Sequence, residues 1–152
     1  MNDEGADAGP PALLRTLASW QTSRISILGA RLTAARMPLE ARSDFAVLAA
    51  LEEYGELSQA EIGRRLGLDR NNVNGIVTRL HGSGLIERHT DPADRRRNII
   101  AATELGLRHL HQLNGLALTV QDELLAALSA DERRQLRALL EKVLQSHPAQ
   151  PA

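Results

Sequence analysis

The sequence predicts a mainly α-helical fold with a small β wing, and three observations lead to this fold class. Apolar residues recur at helical three-and-four spacing along most of the 152 residues. Two short runs of strand type, 85–90 and 98–103, stand apart from that pattern. Aromatic residues make up 2% of the chain and cysteine is absent, so the core must be aliphatic and cannot rely on disulfides or cysteine–zinc sites. The length is that of one domain.

The first part of the chain is predicted to be a tail followed by two helices. Residues 1–11 are acidic and contain two glycines and two prolines, so we expect a disordered tail. This segment lacks the basic start and apolar run of a signal peptide, and no apolar stretch of the chain approaches about 18 residues, so we expect a cytoplasmic protein that does not enter the membrane. Helices are predicted from Leu13 to about Arg36, where Pro38 stops the first, and from about Ala41 to Tyr54.

Two shorter helices joined by a tight turn are predicted next. Ser58 and Glu61 have the spacing of a capping box, which starts a helix at Gln59. Gly67 suits the left-handed conformation that ends a helix, and Asp69 is a good N-cap for the following one. The result is a helix-turn-helix with helices over 59–66 and from about Arg70 to Gly82.

The second of these helices has an unusual outward face. Its three asparagines lower helix propensity, and folding does not require them. Side-chain amides and guanidinium groups do suit base edges in a DNA major groove. A polar face that is merely solvated is the simpler alternative, but the basic hairpin that follows favours DNA. The residues predicted to contact DNA are Arg70, Asn71, Asn72, Asn74 and Gly75, with Thr78 and Arg79 fixing the helix on the DNA backbone one turn further on.

The connection between the two strand-type runs, 91–97, ends in three consecutive arginines. Such a charge run is often only a solvated loop, yet beside a DNA-reading helix it is a candidate arm for phosphates or a narrow minor groove. Net charge is +3 over 58–103, but −3 over 1–57 and −1 over 104–152. Gly55 to Leu57 could add a short strand to the hairpin. The predicted arm residues are Asp94, Arg95, Arg96 and Arg97.

The C-terminal part is predicted to be two helices. One begins at Thr103 or Glu104 and continues to Leu128, with apolar residues on more than one face. Ser129 and Glu132 form a second capping box, which opens a final helix that runs until Pro148. Together with the first long helix, these helices offer more apolar surface than one small domain can cover, so we expect a homodimer.

A helix-turn-helix followed by GLIER at 84–88 and DPADRR at 91–96 resembles the winged-helix domain of the MarR family of bacterial transcriptional regulators. The match covers Ser58 to Gly106 and departs at Ala102-Thr103, where the family usually has Leu-Thr. The resemblance implies a winged helix-turn-helix DNA-binding region over 38–103, dimerisation helices over 12–37 and 104–147, and a tail over 148–152. It also implies that Arg96 enters the minor groove, with Arg95 and Arg97 on phosphates.

The implied function is that of a dimeric, sequence-specific transcriptional regulator, a repressor of a near-palindromic operator that a small molecule releases. The alternative is a winged-helix module that serves protein association without DNA. Family effectors, often aromatic or anionic, bind between the dimerisation helices and the DNA-binding lobe. Trp20 and Arg24, four residues apart, could hold such an effector, or Trp20 could simply pack the dimer. No catalytic motif, cofactor motif or metal-ligand spacing is present, so we expect neither an enzyme nor a cofactor.

Overall fold

The computed structural model describes residues 9–95 and 98–147. Its elements follow one another in the order that the sequence predicts, with a short strand before the helix-turn-helix. They are α1 (Ala12–Arg15), α2 (Ala18–Arg36), α3 (Leu39–Tyr54), β1 (Leu57–Ser58), α4 (Gln59–Leu66), α5 (Arg70–Gly82), β2 (Ile86–Thr90), β3 (Asn98–Ala102), α6 (Glu104–Leu124) and α7 (Ala130–Ser146).

The first predicted helix is interrupted, so the prediction of one helix from Leu13 was wrong at this point. Leu17 is extended, with φ −89° and ψ 117°. The Thr16 hydroxyl donates to the Leu13 carbonyl at 2.8 Å, and the Gln21 amide donates to the Arg15 carbonyl at 2.7 Å. These side chains satisfy carbonyl groups that a continuous helix would pair with backbone N–H groups, which is how local polar side chains compete with a helix.

The helix-turn-helix prediction is confirmed at each boundary. The Glu61 N–H donates to the Ser58 hydroxyl at 3.3 Å and the Ser58 N–H donates to the Glu61 carboxylate at 2.8 Å, which completes the capping box. Gly67 ends α4 with φ 65°, in the left-handed region. Gly63, which sequence reasoning did not single out, is also needed, since a Cβ there would lie 2.9 Å from the Leu68 carbonyl oxygen.

The strands form an antiparallel sheet in the order β1-β3-β2. Leu57 of β1 and Arg88 of β2 flank Ile100 on either side. Each hairpin strand is one residue shorter than predicted, and the added strand lies at 57–58 rather than 55–57. At the base of the hairpin, Gly106 of α6 packs so closely on the Leu85 carbonyl that a Cβ would lie 2.0 Å from its oxygen.

One aliphatic core joins the helix-turn-helix, the sheet and α6. This core is what holds α5 at a fixed angle beside the hairpin, because side chains from each element are removed from water together. Its fully buried members are Val47, Leu48, Ile62, Val73, Val77, Leu80, Ile86, Ile100 and Leu110.

The sixth helix ends at Leu124, four residues before the predicted Leu128. The Leu128 N–H donates to the Leu125 carbonyl at 3.0 Å, and Arg133 Nε donates to the carbonyls of Leu125 and Leu128 at 3.1 and 3.2 Å. This arginine closes a turn that the apolar spacing does not reveal. The capping box of α7 is confirmed, and hydrogen bonds from Ser129 lower the pKa of Glu132.

The terminal helices α1, α2 and α7 contain no buried residue. Leu139, Val143 and Leu144 of α7 are 63%, 59% and 71% exposed. Leu17, between α1 and α2, and Ile25 and Leu28 of α2 are also exposed. This large apolar surface is of the kind that another molecule covers.

Candidate nucleic-acid interface

The outward face of α5 is open to solvent, as predicted. Val73, Ile76, Val77 and Leu80 are buried in the core, so the helix is anchored along one side only. The predicted DNA-contacting residues Arg70, Asn71, Asn72, Asn74, Gly75 and Thr78 are all exposed. The structure therefore brings six of the seven predicted residues of this helix onto one accessible surface.

Two of the asparagines are held by neighbouring side chains. The Asn72 amide nitrogen donates to the Asp69 carboxylate at 2.5 Å, while the Asn72 backbone N–H donates to the other oxygen of that carboxylate at 2.9 Å. Asn74 accepts a hydrogen bond from the Gln59 amide of α4 at 3.4 Å. The amides are thus partly fixed before any DNA arrives, which limits the entropy that binding would cost.

Arg79 is turned away from this surface. Its guanidinium forms an ion pair with Asp44 of α3 and donates to the Ser43 hydroxyl at 3.1 Å and to the Glu40 carbonyl at 3.4 Å. Asp44 is only 9% exposed, so its carboxylate depends on this partner. The sequence analysis placed Arg79 on the DNA backbone. It did not single out Asp44, which lies 35 residues before Arg79 in the chain.

Arg88 of β2 is a half-buried residue that sequence reasoning missed as a site. It lies on the same face of the strand as the buried Ile86, two residues away, which is the face turned to the helices. Its guanidinium donates to the Thr78 hydroxyl of α5 at 3.2 Å. A cation therefore lies between α5 and the hairpin, and only the position of β2 beside α5 could have revealed it.

The described part of the hairpin tip is an exposed turn. The Ala93 N–H donates to the Asp91 carboxylate at 2.8 Å, and the Asp94 N–H donates to the Asp91 carbonyl at 3.2 Å. Asp94 and Arg95 are exposed beyond it. Arg96 and Arg97, which were predicted to enter or flank the minor groove, lie outside the described residues.

A cleft of about 190 Å³ lies between α2, α3 and α6. Arg42 of α3 reaches it, and Arg42 Nε is buried with no hydrogen-bond partner among residues 9–95 and 98–147. The cleft is otherwise largely apolar, so it combines a half-buried arginine with the ring of Phe45. Its lining residues are Thr33, Met37, Arg42, Phe45, Ala117, Val120 and Gln121.

The comparisons with known proteins agree with this architecture. A sequence model of the MarR family matches residues 41–97. The structure resembles the crystal structure of the PcaV transcriptional regulator from Streptomyces coelicolor in complex with its natural ligand. That likeness has 30% identity and a TM-score of 0.73, and it covers 89% of this chain and 96% of PcaV. The chain belongs to the MarR family.

Other relatives of this MarR-family chain are also regulators. The HTH-type transcriptional repressor NicR of Pseudomonas putida is 34% identical over 102 residues, which are 67% of this chain and 65% of NicR. Wild-type apo MarR from E. coli is 26% identical with a TM-score of 0.73, over 84% of this chain and 96% of that one. This chain thus spans slightly less than two thirds of NicR's length and nearly all of the PcaV and MarR structures.

Trp20 and Arg24 contact each other on α2 of the MarR-family fold. Arg24 Cζ lies 5.8 Å from the centroid of the Trp20 ring, within the range of a cation–π contact. Neither residue is among those that line the cleft. The prediction that they hold an effector therefore remains a prediction, and the cleft offers a second location.

The structure gives no sign of a metal centre in the part of the chain that it describes. His111 lies 2.7 Å from Glu52 and His89 lies 3.3 Å from Glu56, as isolated pairs. Among those residues no group of three or more His, Asp or Glu side chains is arranged around a common point. None of the helices in these ranges has both the length and the apolar character to cross a bilayer.

Proposed function

We propose that this chain is a dimeric, sequence-specific DNA-binding transcriptional regulator, a repressor that a small molecule releases from a near-palindromic operator. One observation carries the proposal: α5 is buried along its apolar side and presents arginine and asparagine side chains together on its exposed side. Such a helix enters a major groove with its N-terminal residues nearest the base edges. Membership of the MarR family supports the same function.

The roles of the surface residues follow from their positions. Arg70, Asn71, Asn72 and Asn74 lie in the first turns of α5 and would meet base edges. Thr78 and Arg88, which share a hydrogen bond, would meet phosphates, and Arg95 would do so from the hairpin. Because Arg79 is paired with Asp44, we assign it to holding α5 on α3 rather than to a phosphate.

Dimerisation is proposed from the exposed apolar faces of the terminal helices. Residues such as Ile25 of α2 and Leu144 of α7 are 44% and 71% exposed, which is unfavourable for a stable monomer. A second copy related by a two-fold axis would cover these faces. Two α5 helices so related would contact half-sites about one helical turn apart, and the operator would be close to palindromic.

The cleft beside Arg42 is the location we propose for a small aromatic or anionic effector. The guanidinium of Arg42 and the ring of Phe45, which both line the cleft, suit a carboxylate attached to an aromatic ring. PcaV, which this chain resembles, was crystallised with its natural ligand. The cleft touches α3, which Arg79 connects to α5, so an occupant that favours one placement of α3 would change DNA affinity.

A gel-shift assay with the region upstream of the chain's own gene tests DNA binding. We expect a shift that Arg70→Ala weakens and that Arg108→Ala, an exposed arginine of α6 paired with Glu104, leaves unchanged. A genomic pull-down of bound fragments would then give the operator. If no genomic fragment is enriched and the pure protein shifts no DNA, the protein-association alternative replaces this proposal.

The effector assignment is tested with benzoate and hydroxylated benzoates as probes. We expect at least one of them to weaken the gel shift and to quench or enhance Trp20 fluorescence saturably, and Arg42→Gln to abolish the response while DNA binding persists. Trp20→Phe and Arg24→Ala separate the two locations: if they, rather than Arg42→Gln, remove the DNA response, the effector binds at Trp20 and Arg24.

A further inference from the structure

The Asp69 carboxylate that caps α5 makes two different hydrogen bonds to the same residue. Its Oδ1 accepts from the Asn72 backbone N–H at 2.9 Å and its Oδ2 accepts from the Asn72 side-chain amide nitrogen at 2.5 Å. The first bond is the ordinary function of an N-cap. The second is not needed to start the helix, and it involves an exposed residue of the proposed DNA-reading surface.

This second bond fixes which end of the Asn72 amide points to the cap. An ionised carboxylate only accepts hydrogen bonds, whereas an amide has a donating NH₂ end and an accepting oxygen end. The NH₂ end must therefore face Asp69, since the oxygen would be repelled there. The carbonyl oxygen, Asn72 Oδ1, is left as the end that can meet a base.

We propose that Asp69 holds Asn72 as a hydrogen-bond acceptor, so that α5 selects a base bearing an amino group in the major groove at one position of each half-site. Adenine, through N6, and cytosine, through N4, carry such a donor, whereas guanine and thymine present only acceptors on that edge. The inference rests on the proposed DNA-binding function and specifies it. A bidentate asparagine–adenine contact would instead select adenine, with no preference for cytosine over guanine or thymine.

Asn74 provides a useful contrast within the same helix. Its partner is the Gln59 side chain, which is itself an amide and can either donate or accept. That pair therefore does not fix which end of Asn74 faces outward. Asp69 is the residue that makes the orientation of Asn72 definite, and it acts on DNA through Asn72, as a positioning residue.

The experiment is selection from a randomised operator library by the full-length protein, followed by sequencing of the bound fraction. The position read by Asn72 is the symmetric pair of base pairs whose preference Asn72→Ala abolishes. There we expect adenine and cytosine to exceed guanine and thymine by about 2- to 10-fold, as suits one hydrogen bond of ordinary net strength.

Two substitutions of Asp69 test whether its carboxylate causes this base preference. Asparagine and serine are both neutral, so the two variants have the same net charge. Asp69→Asn and Asp69→Ser both keep a good N-cap, so both variants should fold and their melting temperatures should be similar. In Asp69→Asn the new NH₂ group can donate to Asn72 Oδ1 and turn the amide over, so the preference should shift to guanine and thymine. In Asp69→Ser nothing holds the amide, and the preference should flatten.

The possible results separate this inference from the function on which it rests. If neither the wild-type protein nor any variant binds DNA, the proposed function itself fails. The inference alone is overturned if the wild-type protein prefers guanine or thymine at the Asn72 position, or if Asn72→Ala changes no position. The inference is also overturned if both Asp69 variants keep the wild-type base preference.

Discussion

Arg79 is a polar residue that was predicted to contact DNA, yet it stabilises the fold through an ion pair with Asp44. The ion pair joins α5 to α3, and Asp44 is 9% exposed. A charge that is this far removed from water is costly unless a partner compensates it. The pair therefore stabilises the placement of α5 on α3 rather than adding to the exposed surface of α5.

Arg79→Ala should lower the free energy of unfolding by about 1–3 kcal/mol, because it leaves a mostly buried carboxylate unpaired. Denaturant unfolding measures this, with Arg134→Ala as the control. Arg134 pairs with Asp131 on the exposed surface of α7, so its loss should cost less than about 0.5 kcal/mol. Equal costs for the two variants would contradict the structural role of Arg79.

Gly75 lies on the exposed face of α5, in the middle of the helix, and a Cβ at that position would meet nothing within 4 Å. The fold alone therefore gives no reason for glycine, which costs a helix about 0.5–1 kcal/mol relative to alanine. A close approach of the DNA to the helix backbone would supply the reason.

Gly75→Ala should raise the melting temperature and yet weaken operator binding. Gly82→Ala is the matched control, since Gly82 ends the same helix and its Cβ would also meet nothing within 4 Å. Gly82→Ala should leave operator affinity unchanged in the same gel-shift titration. If Gly75→Ala binds the operator as tightly as the wild-type protein, the DNA does not approach the helix backbone at that residue.

At the scale of elements, the hairpin is connected to α5 as well as to the core. Arg88 of β2 donates to Thr78 of α5, and Thr103 after β3 donates its hydroxyl to the Gly84 carbonyl at 2.7 Å. These contacts fix the position of the hairpin relative to α5. One surface can therefore meet a groove and the adjacent phosphates together.

Arg88→Ala should reduce the slope of log affinity against log salt by up to about 1.8, taking roughly 0.9 for each of two phosphate contacts in a dimer. The slope is measured by titrating operator and random DNA at several salt concentrations, with Arg108→Ala as the control. Both DNAs should be affected alike, since phosphates carry no sequence information. A slope equal to that of the wild-type protein would remove Arg88 from the DNA contacts.

At the scale of the whole molecule, the apolar residues form two separate groups. One is the buried core of the winged region, and the other is the exposed face of the terminal helices. The core is complete within one chain, and Leu48, Ile62 and Leu80 are fully buried. No residue of α1, α2 or α7 is buried by the part of the chain that the structure describes. These exposed faces are where we propose that a second copy of the chain packs.

Deletion of residues 130–152 should abolish the dimer or cause aggregation, because it removes α7 and leaves the partner surface of α6 exposed. Analytical ultracentrifugation measures the assembly, and deletion of 148–152 alone is the control. The longer deletion would also lose operator binding, since two half-sites need two chains. A soluble dimer that lacks 130–152 and still binds a palindrome would show that α7 is not part of the interface.

The sequence by itself determined the elements whose signals are local. The capping boxes at Ser58 and Ser129, the left-handed Gly67 and the period of the apolar residues set the boundaries of α4, α5 and α7, since each depends on neighbours within four residues. The same period predicted which side of α5 is exposed, and thus the candidate DNA surface.

Only the tertiary structure decided the features that join distant parts of the chain. The break at Leu17 and the early end of α6 depend on competing side-chain hydrogen bonds, which a hydrophobic period does not contain. The pairing of Arg79 with Asp44, the position of Arg88 beside Thr78 and the cleft at Arg42 each require two or more elements to pack together. Which polar side chains stay exposed and which hold the fold is therefore settled by packing, because residues of the same type and spacing compete for both roles.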